Sequence, residues 1–217
     1  MKIRDYFFVI GLLISTGGIL QGAILPAQAE LVRPRLSAVE QNKLNKELFR
    51  AVEQEGREGM VARVQDLIAR GADVTARDQS GWIPLHYVAY RERFPELIEV
   101  LIRANLGSVH YKTECGRTAL HLAAFSFSGE LGSVAVLLKA GASPNIQDNK
   151  GRTSLHRVFL GSKNEEIIKA LVDAGANPDI PNNDDGKTPR QLARERKLEH
   201  LLAERGDTKP ARAISLE

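Results

Sequence analysis

A recurrence every 35 residues constrains this chain more than any other feature. Gly81-Trp82-Ile83-Pro84-Leu85-His86, Gly116-Arg117-Thr118-Ala119-Leu120-His121 and Gly151-Arg152-Thr153-Ser154-Leu155-His156 follow one another at that step, and Gly186-Lys187-Thr188-Pro189 continues it. A second marker lies between them, at Gly71-Ala72-Asp73, Gly141-Ala142-Ser143-Pro144-Asn145 and Gly175-Ala176-Asn177-Pro178-Asp179. Ala104-Asn105 holds that place in degraded form. Self-similarity at a fixed period of this size is the mark of an architecture built by stacking units.

The chemistry of each unit explains the period. The opening glycine suits a tight turn, and the Thr or Ser after it suits the cap of a helix. Pro84 and Pro189 then stand at a first helical position, where a missing N–H costs nothing. Apolar residues fall in pairs one turn apart in the second half of each unit: Leu97, Ile98, Leu101 and Ile102; Val134, Leu137 and Leu138; Ile167, Ile168, Leu171 and Val172. That spacing makes one buried face at helical period. Gly71, Gly141 and Gly175 fit the left-handed position that ends a helix. A single helix pair cannot bury its own apolar face, so the units must stack.

With their Gly-x-Thr-Pro-Leu-His opening and Leu-Leu-x-x-Gly-Ala-Asp-x-Asn close, these motifs resemble the ankyrin repeat. The resemblance covers residues 44–205. Ile83 and Ser154 depart from the opening motif, and the step is slightly longer than the usual ankyrin period of about 33. The extra residues are expected to enlarge the turns at Glu92–Pro95, Ser126–Leu131 and Gly161–Asn164. The implied fold class is an all-α repeat solenoid of helix-turn-helix units joined by β-hairpin-like loops. An N-terminal cap repeat is assigned to residues 44–77, full repeats to 78–112, 113–147 and 148–181, and a C-terminal cap to 182–205. Residues 30–43 read as a polar lead-in and 206–217 as a flexible tail.

The first 29 residues have a different character. Lys2 and Arg4, with Asp5 against them, precede an almost uncharged run from Tyr6 to Leu25, and Ala27-Gln28-Ala29 has the small-x-small form that signal peptidase accepts. A cleaved signal peptide is expected, with the mature chain starting at Glu30 in the periplasm or secreted space. The alternative is an uncleaved anchor, because about 20 apolar residues can cross a bilayer. The leader suits a bacterium. The remaining composition is that of an ordinary globular protein, with 43% apolar and 26% charged residues. A net charge of +3 over 217 residues lacks the concentrated basic stripe that nucleic acid requires. Cys115 is the single cysteine, so the fold must stand on packing without an internal disulfide.

His86, His121 and His156 occupy one repeat position and invite a metal hypothesis. Successive layers of packed helices lie about 8–10 Å apart, whereas zinc needs its nitrogens at about 2.1 Å, so this column cannot share an ion between layers. The ankyrin resemblance implies instead that each histidine hydrogen-bonds backbone and braces a turn. No nucleophile elbow, phosphate loop or paired-cysteine spacing is present. Glu165-Glu166 and Asp184-Asp185 are adjacent carboxylates read as solvated. No catalytic residue, cofactor or metal is expected.

The resemblance also implies a contact surface: the concave side, made by hairpin tips and the inner faces of first helices. The 35-residue step locates its columns. Trp82, Arg117, Arg152 and Lys187 follow the repeat glycines; Arg77 and Lys112 begin a second column; Tyr90, Phe125 and Leu160 stand near the ends of first helices. A basic row thus runs beside an apolar and partly aromatic one, and aromatics with arginine are enriched at binding hot spots. The expected function is that of a monomeric, non-catalytic protein-interaction module whose partner has an acidic surface. The alternative is an immunity or inhibitor protein that neutralises a toxin or an envelope enzyme; an enzyme or metal protein is a third class.

Overall fold

The computed structural model describes residues 36–53, 59–91, 94–125, 131–161 and 164–202. The expected leader at 1–29, the start of the lead-in and the tail lie outside the described residues, as do most of the three turns expected to be enlarged. Nine α-helices are found among the described residues, with no strand. They are α1 (Ala38–Glu53), α2 (Met60–Ala69), α3 (Pro84–Arg91), α4 (Pro95–Ala104), α5 (Ala119–Phe125), α6 (Leu131–Lys139), α7 (Ser154–Leu160), α8 (Glu165–Asp173) and α9 (Pro189–Glu195). Two 3₁₀ turns, Leu106–His110 and Glu199–Leu202, complete the order.

The helices form two layers. Each odd-numbered helix packs on the next odd-numbered one, from α1 through α9, and the even-numbered helices stack behind them. The paired apolar positions seen in the sequence meet between the layers. Leu97, Ile98, Val134, Leu137, Ile167, Ile168 and Leu171 are fully buried, beside Leu85, Leu120, Leu155 and Phe159 from the inner helices. One core therefore runs the length of the stack, as a repeat array requires.

Helix starts follow from capping chemistry. Thr188 accepts the N–H of Gln191 while the Gln191 side chain accepts the N–H of Thr188, a reciprocal box that satisfies two orphan donors. A second such pair changes a boundary. The N–H groups of Ser37 and Glu40 bond each other's side chains, so α1 begins at Ala38 and the last part of the expected lead-in is helical.

Two units depart from the common pattern. Where Ala104-Asn105 replaces the helix-ending glycine, Asn105 is extended (φ −154°) and a 3₁₀ turn follows. In the last unit Lys197 takes a positive φ of 61° and turns the chain after α9, and the second element is a 3₁₀ turn that covers the end of the core with Leu201 and Leu202.

Candidate partner-binding face

Fingers between successive units create the face opposite the outer helices. Each is a tight turn closed at its base by a backbone bond, Asp78 N–H to Trp82 O, Thr113 N–H to Arg117 O, Asp148 N–H to Arg152 O and Asn182 N–H to Lys187 O, all at 2.9 to 3.0 Å. In the first three, the finger glycine N–H donates back to the same residue's carbonyl. Neighbouring fingers are joined as well, by Glu114 N–H to Ser80 O, Asn149 N–H to Cys115 O and Asn183 N–H to Lys150 O. Cys115 is an exposed free thiol on one tip.

The three histidines bond backbone on both sides. Their Nδ1 atoms accept the N–H groups of Ile83, Thr118 and Thr153 at 3.0 to 3.2 Å. Nε2 must then carry the proton; His86 donates it to the Tyr111 carbonyl at the end of its own unit, and His121 and His156 donate to the Arg152 and Lys187 carbonyls of the unit that follows. Burial is the main cause that pushes His86 and His121 down to about 4, and it lowers His156 as well.

Arg77 and Lys112 are part of the same bracing. The Arg77 guanidinium donates to the carbonyls of Gly81 and Lys112 at 2.9 and 2.8 Å and lies over the Tyr111 ring; Lys112 Nζ donates to Gln147 O at 3.2 Å. Gln147 repeats the pattern with Gly151 O and Pro181 O. This column therefore ties finger to finger.

Trp82 is half-buried, with its ring 5.0 Å from Tyr87 and 5.8 Å from Tyr90. Tyr87 also meets Phe49 of the N-terminal cap, and its hydroxyl donates to Asp78 Oδ2 at 2.5 Å; burial and that bond raise its pKa to about 12. The aromatic cluster thus joins cap to first full repeat and leaves Tyr90 48% exposed. Leu160 is 40% exposed, while Phe125 is half-buried beneath the guanidinium of Arg157, 4.3 Å from its centroid. The apolar row is open at its two ends and covered at its centre.

The cations after the finger glycines have acidic neighbours. Arg152 and Lys150 pair with Asp184, and Lys187 pairs with Glu195 at 2.7 Å. Arg117 Nε stands 3.9 Å from Asp148 Oδ2, whose other oxygen holds the finger through the N–H groups of Lys150 and Arg152. Asp184 is therefore engaged by two cations and is more than the solvated carboxylate expected. Sequence reasoning overlooked Arg157. At the 35-residue step its column reads Tyr87, Leu122, Arg157 and Leu192, one charge in a row that is otherwise apolar or aromatic.

The family model for ankyrin repeats (3 copies) matches residues 48–148 and 127–209. Ankyrin repeat and SOCS box protein 3 of Homo sapiens is 37% identical over 173 residues, covering 63% of this chain and 32% of that protein. A fowlpox virus ankyrin repeat protein is 31% identical over 135 residues, covering 60% of this chain and 39% of its own length. Mitochondrial disaggregase of Bos taurus is 34% identical over 164 residues, covering 70% and 22%. The chain thus spans between about a fifth and two fifths of the length of these relatives. Period, paired helices, finger turns and family match agree: the chain belongs to the ankyrin repeat family, as a protein–protein interaction module.

Proposed function

We propose that this chain is an exported, non-catalytic ankyrin protein that holds a protein partner on its finger-side face. The observation that carries the proposal is that Tyr90 and Leu160, at the two ends of the apolar row, stay exposed after the stack has formed, while Phe125 between them lies against the Arg157 guanidinium. Exposed aromatic and apolar side chains next to arginine are the composition of a binding surface. Cations there speed the approach of an acidic partner and set its register.

Affinity capture from the native envelope tests the face. The double variant Trp82→Ala/Arg152→Glu, checked by circular dichroism for an intact helical signal, is expected to recover at least about tenfold less partner than the wild type, the effect of losing one or two hot-spot contacts. Equal recovery of the same partner would overturn the assignment. Export rests on the N-terminal sequence, with its Ala27-Gln28-Ala29 site. The intact mass of the protein isolated from its host is expected to fit a chain starting at Glu30; the mass of the full 217 residues would instead indicate a retained leader.

A further inference from the structure

Arg157 is the most unusual residue of the stack. It is 5% exposed, on an inner helix, at a position where the neighbouring units carry Leu122 and Leu192. Taking a guanidinium out of water is costly unless its charge and its donors find partners. The Phe125 ring receives one face of it. Its Nε, however, is buried with no hydrogen-bond partner among the described residues, and so are the Nε atoms of Arg117 and Arg152.

These three guanidiniums share one neighbourhood. Burial first, and then the charge of Arg117 with that of Arg152, lowers the Arg157 pKa to about 10, while Asp148 acts the other way. With Lys150, four cations stand around two carboxylates, Asp148 and Asp184. Asp148 already spends one oxygen on its finger, and Asp184 is taken by Arg152 and Lys150. Among the described residues, two positive charges are left without a carboxylate, and the three Nε donors without an acceptor.

Building on the proposed binding face, we infer that Arg157, with Arg117 and Arg152, forms an anchor for one carboxylate side chain of the partner, within a segment whose flanking residues are apolar. The guanidinium fork matches a carboxylate through two parallel N–H bonds. The flanks follow from position: the Phe125 ring of the preceding unit lies against the Arg157 guanidinium, and Leu160 stands three residues further along the helix that carries Arg157. An acidic residue between apolar ones would meet both rows at once.

The test uses the full chain and a fluorescent peptide of alternating Glu and Leu, with the Gln–Leu peptide as neutral control. Arg157→Leu installs the residue that neighbouring units use, so it is expected to fold with an unfolding midpoint no lower than wild type. Its affinity for the acidic peptide is expected to fall about tenfold or more, the loss of one charge-assisted pair. Lys139→Leu removes the same charge from outer helix α6 and is expected to stay within about twofold, since an exposed charge at that distance is screened. Several results would overturn the anchor: an Arg157→Leu affinity within about twofold of wild type, an equal loss in Lys139→Leu, wild-type binding no tighter to the acidic peptide than to the neutral one, or displacement of the peptide by inorganic phosphate at matched ionic strength. If the anchor fails while Trp82→Ala/Arg152→Glu still loses the captured partner, the face stands and only the anchor is wrong. If neither variant affects peptide or partner, both readings fall.

Discussion

Between pH 6.5 and pH 4 the stack is expected to lose roughly half or more of its stability. His86 and His121 are neutral in the folded chain, their pKa values held at about 4, chiefly by burial. An unfolded histidine titrates near 6.5, so across this window the unfolded chain binds more protons than the folded one. Stability is therefore complete above the unfolded value and drains away as pH falls toward the folded one. Each histidine contributes about 3 kcal/mol over the whole window, and two together set a slope of about 2.7 kcal/mol per pH unit. Domains of this size are commonly stable by only about 5–15 kcal/mol. Urea unfolding followed by circular dichroism at a series of pH values measures the effect. Carboxylates begin to contribute only below about pH 5, so the loss between 6.5 and 5 belongs to the histidines. A stability unchanged across that upper interval would refute it. In His121→Gln the slope is expected to fall by about a third to a half, because His86 remains and His156, also lowered by burial, shares it.

The second large effect concerns a finger glycine. Gly151 has a φ of +70°, and a methyl group there would lie 2.6 Å from Asn183 Oδ1 and 2.8 Å from the Asn183 backbone nitrogen. That nitrogen donates to Lys150 O at 2.8 Å, so the bond between fingers must open to admit the methyl group. Gly151→Ala is expected to cost about 3 kcal/mol, combining left-handed strain of about 1–2 kcal/mol with the displaced finger. Gly175 supplies the comparison: its φ is +86°, but nothing lies within 4 Å of the added carbon. Gly175→Ala is expected to cost about 1 kcal/mol, the strain alone. Equal costs in urea unfolding would show that finger contact contributes nothing. Arg152 follows Gly151 directly, so the displaced finger should also weaken partner capture.

How much of this was legible in the sequence depends on range. The stacking, the fingers and the helix ends are local events repeated at a fixed step, and Gly81, Gly116, Gly151 and the three Leu-His pairs announce them. The start of α1 is equally local: Ser37-Ala38-Val39-Glu40 is a capping box written in four residues, inside the stretch whose polarity reads as lead-in. The centre of the face was not legible in the same way. That Arg152 would pair with Asp184, or Arg117 approach Asp148, depends on side chains that meet across different fingers. Arg77 and Lys112 looked like free cations because a sequence does not show which carbonyls a long side chain reaches. Arg157 left a trace as the one charge in its column, but its burial beneath two arginines' worth of like charge is a matter of packing.

The ties between units have an evolutionary corollary. Hydrogen bonds among the described residues reach no further along the chain than the 38 positions from Arg91 to Glu53. Every unit therefore negotiates only with the one before and the one after. A duplicated copy of residues 113–147, inserted in register, would present its neighbours with the same donors and acceptors they already use. The array can lengthen by whole units without rewriting an existing contact, and its finger side would gain one finger, one arginine and one apolar step at each duplication.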